Sequence, residues 1–401
     1  MTESTMGKEV EALLADRTGR ECLFTPSGRV ALWLAFRTWL RPGDRLLMSP
    51  LTCDVVLFVV LAAGLRPIMA PVSLEDGNID PRAVPASIWS QIDGVLTTNL
   101  YGLPDRLPEL RSRCLSRGIP LIEDAAQALE SEAAGRPVGT FGDAAAFSLS
   151  KHAGAPAGGV LTFADEARRP DLERLLAAVT APRLPTRLAM DLFRPPLETG
   201  IRRLHLLRLA RSMARGMGLD GRATSNRMPL REPALRRALT AAPDVTALGA
   251  WVRCDLPGYR MAIPPVLLRR ILERLHRLED DRVRRVAGVD RLRELPAAAP
   301  LLRESAPLPL LAVPFLVADR RAARAELSRR LVPTPYVFDP PLDDYAGDRI
   351  VEPSPNPEAA RWWAAHVLPV APLDAARALP ALAGLAPEPD PGAILSRSRH
   401  P

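Results

Sequence analysis

Between residues 20 and 165 the chain alternates short apolar runs with helical patterns, and this alternation restricts it to an α/β architecture on a parallel or mostly parallel sheet. Residues 27–40 carry Val30, Ala31, Trp33, Leu34, Ala35 and Trp39 at helical spacing, and Arg41-Pro-Gly-Asp44 stops that helix. A strand over 45–49 follows, then a helix over 55–63, a strand over 67–72 and an apolar run over 93–98 ending at Asn99. An amphipathic helix over 107–117, closed by Gly118, leads to a strand over 120–123. Short strands joined by helices in this way are buried on both faces, and ligands of such sheets sit at the carboxyl ends of the strands.

After residue 165 the pattern changes. Residues 177–250 are rich in Arg and Leu, broken by Pro, and lack strand signals. Within 195–220, Leu206, Leu209, Ala210, Met213 and Met217 share one helical face, with Arg208, Arg211 and Arg215 roughly opposite. Such a helix either caps the protein's own core with a solvated Arg face or lies on a membrane surface or an acidic partner. From 251 a second unit is read: a helix over 265–293, a strand over 308–316, a helix over 320–331 and a last helix near 373–382. The expected organisation is therefore a large domain over 1–176, a helical insertion over 177–250 and a smaller C-terminal α/β domain over 251–401.

The charge balance narrows the partners. A net charge of +7 rests on Arg residues spread among Asp and Glu, with no recognition motif beside them, so nucleic acid is not expected as a partner. Cys22, Cys53, Cys114 and Cys254 are far apart and include no Cys-x-x-Cys pair, which suggests neither a disulfide framework nor a metal site. The longest apolar run, 55–65, falls well short of the ~20 residues that span a bilayer. The N-terminus lacks the apolar core of a signal peptide. A cytoplasmic location follows as the expectation, with 195–220 as the candidate for peripheral membrane contact.

Two stretches carry chemistry. Pro120-Leu-Ile-Glu-Asp124-Ala-Ala-Gln127 is an apolar strand that ends on a carboxylate and turns at once into small residues. Asp124 there can cap a helix, or it can hold the ring nitrogen of a pyridine cofactor protonated, which makes such a ring an electron sink. The second stretch is Gly142-Asp143-Ala-Ala-Ala-Phe147-Ser148-Leu-Ser150-Lys151, followed by Gly154 and Gly158-Gly159. Of the 53 Lys and Arg residues only Lys8 and Lys151 are lysine. A lysine kept in a Gly-bearing loop points to an amine that must lose its proton, because Arg can neither form a Schiff base nor act as a base near neutral pH. Ser27-Gly28-Arg29 opens a helix and offers backbone N–H groups and a hydroxyl to a phosphate, although Ser27 serves equally as a plain N-cap. Ser148 and Ser150 add hydroxyls beside Lys151. No Walker loop and no Gly-x-Gly-x-x-Gly follows the first strand, which speaks against nucleoside triphosphates and Rossmann dinucleotides.

Read in order, Ser27-Gly-Arg-Val-Ala-Leu32, Arg41-Pro-Gly-Asp44, Asn78-Ile-Asp80, Asn99-Leu-Tyr-Gly102, Ile122-Glu-Asp-Ala-Ala-Gln127, Val138-Gly-Thr-Phe-Gly-Asp143, Phe147-Ser148, Lys151, Gly158-Gly159 and Gly258-Tyr-Arg-Met261 resemble the DegT/DnrJ/StrS sugar aminotransferases. The match covers nearly the whole chain except 177–250. The resemblance implies a fold-type-I transferase with pyridoxal 5'-phosphate held covalently by Lys151, which also moves the proton. Asp124 would pair with the ring nitrogen, Gln127 would bond near the phenolic oxygen, and Ser27, Gly28, Arg29 and Ser148 would surround the phosphate. Tyr259 and Arg260 belong to a segment that reaches the neighbouring subunit's site in the family, which implies a homodimer. The implied reaction moves an amino group from an amino acid, glutamate by resemblance, to a keto group on a nucleotide-activated sugar or related carbohydrate.

The departures are specific. Where the family places a cofactor-stacking aromatic after a Thr, this chain has Cys53 after Thr52, and Gly258 stands for the family's Asn. The loop from Ser148 to Lys151 is about two residues shorter than the family's, and Pro156-Ala-Gly-Gly159 replaces its Gly-Glu-Gly-Gly. Two further readings follow from these differences: a same-fold enzyme with another reaction, such as a dehydratase, and a cofactor-free scaffold. Lysine at 151 speaks against the dehydratase branch, which has His there. The adjacent His152 is expected to be a polar loop residue.

Overall fold

The computed structural model describes residues 3–183, 227–228, 230, 232–246, 257–385 and 387. Most of the expected insertion, including the basic helix at 195–220, lies outside the described residues.

The large unit is built on seven strands: β1 (Glu21–Thr25), β2 (Arg45–Met48), β3 (Arg66–Met69), β4 (Gly94–Thr97), β5 (Leu121–Asp124) and, after the short hairpin β6 (Glu132–Ala133) and β7 (Arg136–Pro137), β8 (Ala144–Ser148) and β9 (Gly159–Phe163). Their order across the sheet is β1-β9-β8-β5-β4-β2-β3. Strands β8, β5, β4, β2 and β3 pair in parallel, whereas β9 runs antiparallel to both β1 and β8. The expected α/β fold with a mostly parallel sheet is present. Its inner strands are four or five residues long and buried along almost their whole length, as a sheet covered on both faces requires.

The helix Gly28–Trp39 lies on one face over β8 and β9, and its apolar side chains join Asp54–Ala62 in one core that includes Trp33, Phe36, Phe58 and Leu161. On the opposite face the helix Glu3–Thr18 buries Met6, Val10 and Leu14 against Pro265–His276. That first helix was not read from the sequence, because its apolar stripe is only one residue wide in an otherwise charged stretch. The helix Arg169–Val179 runs across the boundary expected at residue 176, and Leu235, Ala238 and Val245 of the described part of 177–250 pack into the large-unit core.

The C-terminal unit sets the antiparallel pair β10 (Val313–Leu316) and β11 (Val367–Val370) against helices, with Trp363 and Phe315 fully buried. The single helix expected over 265–293 is two, Pro265–His276 and Leu278–Arg293, which meet at Arg277. Strand β11 was missed, and β10 is shorter than the 308–316 read from the sequence, because the pair has only four registered positions. Gly288 seats Leu278–Arg293 directly on the backbone of Pro372, where a Cβ would collide with the carbonyl oxygen. Overpacking against backbone cannot be relieved by a rotamer change. Gly288→Ala therefore lowers stability by about 1–3 kcal/mol, seen as a lower melting temperature. Gly384→Ala, at a position with open space around the added carbon, leaves the melting temperature unchanged.

Candidate active site

The site forms where β5 and β8 end side by side. Their parallel register sets Asp124 opposite Ala146, so the carboxylate at the end of one strand and the loop carrying Lys151 after the other reach the same edge of the sheet. Alternation then divides the work of neighbouring residues. Glu123 points into the sheet's flank, where its carboxylate accepts N–H bonds from Gly139 (2.8 Å), Phe141 (2.8 Å) and Gly142 (2.6 Å). The Val138-to-Asp143 string is thus a backbone cradle for Glu123. Asp124 faces the other way, with Oδ1 accepting the Ala126 N–H at 3.0 Å. Burial pushes the Asp124 carboxyl above its ordinary range, while the positive charge of Lys151 and the Ala126 N–H oppose that shift.

A cavity of about 310 Å³ opens at this edge. Of the residues singled out from the sequence, Ser27, Gly28, Arg29, Cys53, Asp124, Ser148, Lys151 and Tyr259 line it, together with Ser150 and Gly258. The helix Gly28–Trp39 points its N-terminus into the cavity, and the close approach there is made by glycine: a Cβ on Gly28 would lie 3.1 Å from the Phe147 carbonyl, and one on Gly159 would strike the Ser27–Gly28 peptide. A helix N-terminus, Arg29 nearby and the paired hydroxyls of Ser148 and Ser150 (3.1 Å) form a set suited to a phosphate. Cys53 precedes Asp54–Ala62, and its thiol is pushed up to about 11 by burial and then by the Asp54 carboxylate, so it lines the cavity as a neutral group.

Several placements differ from the sequence reading. The Ser27 hydroxyl caps the helix by accepting from Val30 N–H and donates to the Tyr259 carbonyl at 2.5 Å. Tyr259 lines the cavity of its own chain, with the Arg29 guanidinium 5.2 Å from its ring centre and its hydroxyl donating to Val245 O at 2.8 Å. Arg260 turns away and donates to Val179 O. Gln127 is buried outside the cavity, and its side-chain oxygen accepts the Tyr101 N–H at 3.2 Å. His152, expected as a polar loop residue, is fully buried, since the small unit packs directly onto the Lys151 loop and its Nε2 lies 2.8 Å from Pro309 O.

The structure also brings in residues that the sequence reading missed. Arg227 is buried and donates to the carbonyls of Thr52, Phe338 and Pro340, tying the Cys53 loop to the C-terminal unit. Asp105 accepts N–H bonds from Ile79, Thr98 and Asn99, and Asn78 binds Leu100 and Leu103, so the Asn78 and Asn99 strings serve to knot the loop after β4. No local signal marks Arg227 among its Arg-rich neighbours. Among the described residues no group of three or more His, Cys, Asp and Glu side chains could hold a metal ion, and no helix is long and apolar enough to cross a membrane.

The comparisons with known proteins agree with this geometry. Residues 3–180 match the model of the DegT/DnrJ/EryC1/StrS aminotransferase family. Among curated relatives, a UDP-N-acetyl-3-dehydro-alpha-D-glucosamine 3-aminotransferase of Acidithiobacillus ferrooxidans is 32% identical over 175 residues, which is 42% of this chain and 46% of that protein. The matched stretch thus spans about half the length of that relative. Among solved structures, a DegT DnrJ EryC1 StrS aminotransferase from Brucella abortus superposes with a TM-score of 0.64 at 16% identity, covering 94% of this chain and 90% of that one. A GDP-4-keto-6-deoxymannose-3-dehydratase holding a trapped PLP-glutamate geminal diamine superposes at 0.61 with 16% identity, covering 94% and 92%. At these identities the likeness is one of fold.

Behind Lys151, the Arg285 guanidinium donates to His152 O (3.1 Å) and Leu310 O (3.3 Å), while both Glu130 carboxylate oxygens are buried without a hydrogen-bond partner. Burial pushes Glu130 from an ordinary 4.5 up to about 7, against the pull of Arg17 and Arg285. A folded-state value above the unfolded one favours the protonated form on folding, so the associated stability is complete below pH 4.5 and is lost as pH rises through 7. Glu130→Gln removes that loss. Thermal unfolding at a series of pH values should show the variant gaining on wild type by about 1–3 kcal/mol between pH 5 and pH 8, and a pH-independent difference would place the Glu130 titration elsewhere.

Proposed function

From the match of residues 3–180 to the model of the DegT/DnrJ/EryC1/StrS aminotransferase family, we propose that the chain is a member of it, a pyridoxal 5'-phosphate-dependent aminotransferase acting on a carbohydrate. The observation that carries the reading is the convergence of the Lys151 amine, the Asp124 carboxylate and a helix N-terminus on one cavity. The residues present fit that cofactor: a lysine to hold it, a buried carboxylate for a ring nitrogen, and glycines that bring N–H groups close enough for a phosphate. When bound, the cofactor supplies the electron sink for electrons released at the carbon bearing the amino group.

The chain's own groups do the rest. Lys151 Nζ is the one lysine amine on the cavity wall and would serve as its proton carrier, moving a proton from the donor's α-carbon to the cofactor's C4′ in one half-reaction and from C4′ to the acceptor's carbon in the other. Asp124 would pair as a carboxylate with the ring nitrogen and keep the proton there; the Lys151 charge and the Ala126 N–H, which oppose the rise that burial gives its own proton affinity, favour that ionised form. Gly28, Arg29, Ser148 and Ser150 would hold the phosphate, with the Ser27 hydroxyl fixing the helix start and the Tyr259 carbonyl beside them, and Cys53 offers a neutral, slim wall in place of an aromatic one. Gln127 acts at one remove, by fixing the loop at Tyr101.

The donor in this reading is glutamate, and the acceptor is a keto group on a nucleotide-linked sugar or a close relative, as the name of the Acidithiobacillus protein suggests. A homodimer belongs to the proposal by family likeness, although the 257–261 segment enters the cavity of its own chain. A dehydratase reading is favoured less, because His152 is sealed behind the cavity and cannot take the place of Lys151.

Added pyridoxal phosphate should give the wild-type protein a visible absorbance band, absent in Lys151→Ala and bleached by glutamate. No band in wild type would remove the aminotransferase reading and leave the scaffold. A band indifferent to amino donors would turn it towards another reaction on the same fold.

A further inference from the structure

An aromatic ring of the C-terminal unit stands beside Lys151. Tyr336 lies between the helices Arg320–Arg329 and Leu342–Ala346, and its ring centre is 5.6 Å from Lys151 Nζ. That separation is within the range in which the negative face of an aromatic ring attracts an ammonium group. The ring is only partly exposed.

The position of this ring is forced. Tyr336 has φ +65°, in the left-handed region that L side chains adopt only when the surroundings insist. Its carbonyl accepts a hydrogen bond from Tyr101 Oη at 3.1 Å. Tyr101 is itself left-handed, at φ +61°, and is fully buried. The Gln127 side-chain oxygen holds the Tyr101 N–H, the Leu311 and Ala312 N–H groups hold its carbonyl, and its ring stacks on Phe338 at 6.3 Å with the planes 8° apart. Phe338 is two residues beyond Tyr336, and Arg227 covers it from another side while gripping its carbonyl. Two unfavourable backbone conformations, one in each unit, are therefore joined by a single hydrogen bond whose consequence is the seat of one ring over Lys151. Backbone strain maintained in this way marks a site under functional constraint.

We propose that Tyr336 is a positioning residue that holds the Lys151 amine at the cavity wall, so that the seating of the C-terminal unit sets the reactivity of Lys151. The catalytic meaning of this rests on the aminotransferase reading; the contact and its test do not. In the wild type, attraction to the ring keeps the Lys151 head group in place, and relaxation of the ring or of the Tyr101 hydroxyl frees it.

The test is covalent labelling of the protein, without added cofactor, by trinitrobenzenesulfonate at fixed pH, with each lysine-bearing peptide followed by mass spectrometry. The chain provides its own reference, because its other lysine, Lys8, is exposed and paired with Glu11 far from the site. Tyr336→Leu keeps an apolar side chain and removes the ring; Lys151 should then label roughly two- to five-fold faster with Lys8 unchanged, while Tyr336→Phe labels as wild type does. Tyr101→Phe removes only the hydroxyl that holds Tyr336 and should give a smaller rise at Lys151. If Tyr336→Leu accelerates Lys8 as well, the fold has loosened and Tyr101→Phe decides: a rise at Lys151 alone supports the proposal, and wild-type labelling overturns it. Wild-type labelling of Lys151 in Tyr336→Leu also overturns it, and neither result touches the cofactor assignment, which is read from absorbance.

Discussion

The pairing of β5 with β8 is the constraint on which this molecule rests. With Asp124 opposite Ala146, two neighbouring carboxylates are assigned opposite duties: Glu123 binds three backbone N–H groups of the 138–143 turn, and Asp124 faces the cavity. A slip of one residue would exchange the faces, turning Asp124 away from the cavity and Glu123 away from its three N–H groups. Glu123 is what makes the register stable, because a fully buried carboxylate without those N–H groups would be a severe desolvation penalty. The chemistry at Asp124 is therefore secured by the structural work of the residue before it.

What was legible in the sequence is what depends on strings of adjacent residues. The strand ending at Asp124, the helix opening at Ser27 and the lysine in its Gly-bearing loop are local features, and they come together because parallel strands bring their carboxyl ends to one edge. Motif strings such as Asn78-Ile-Asp80 and Val138 to Asp143 were visible as well, but not their purpose. They are backbone-binding devices that knot loops, which becomes apparent only when the side-chain partners 16 to 26 residues away are seen.

What was not legible depends on contacts between the two units. Gln127 carries the right side chain for a cofactor contact, yet its side-chain oxygen is committed to the Tyr101 N–H because the loop after β4 packs beneath it. His152 reads as a loop residue until Pro309 and Arg285 close over it. Tyr336 and Arg227 sit in Pro-rich and Arg-rich stretches with no periodicity to mark them, and their meaning comes entirely from the carbonyls and rings that they meet across the interface.

Those interface residues bear on the departure at Cys53. A thiol held neutral by burial leaves room in the cavity where the family's ring would stand, and the same loop is fastened to the C-terminal unit by Arg227 at Thr52. Tyr336 approaches from that unit, near enough to Cys53 that a charge on the thiol would raise the phenol's proton affinity. The aromatic ring beside Lys151 comes from the small unit, at the flank of the lysine. A site built this way takes its shape from how the two units dock, since the loop at Cys53 and the ring at Tyr336 are tied across that junction by the Arg227 guanidinium and the Tyr101 hydroxyl.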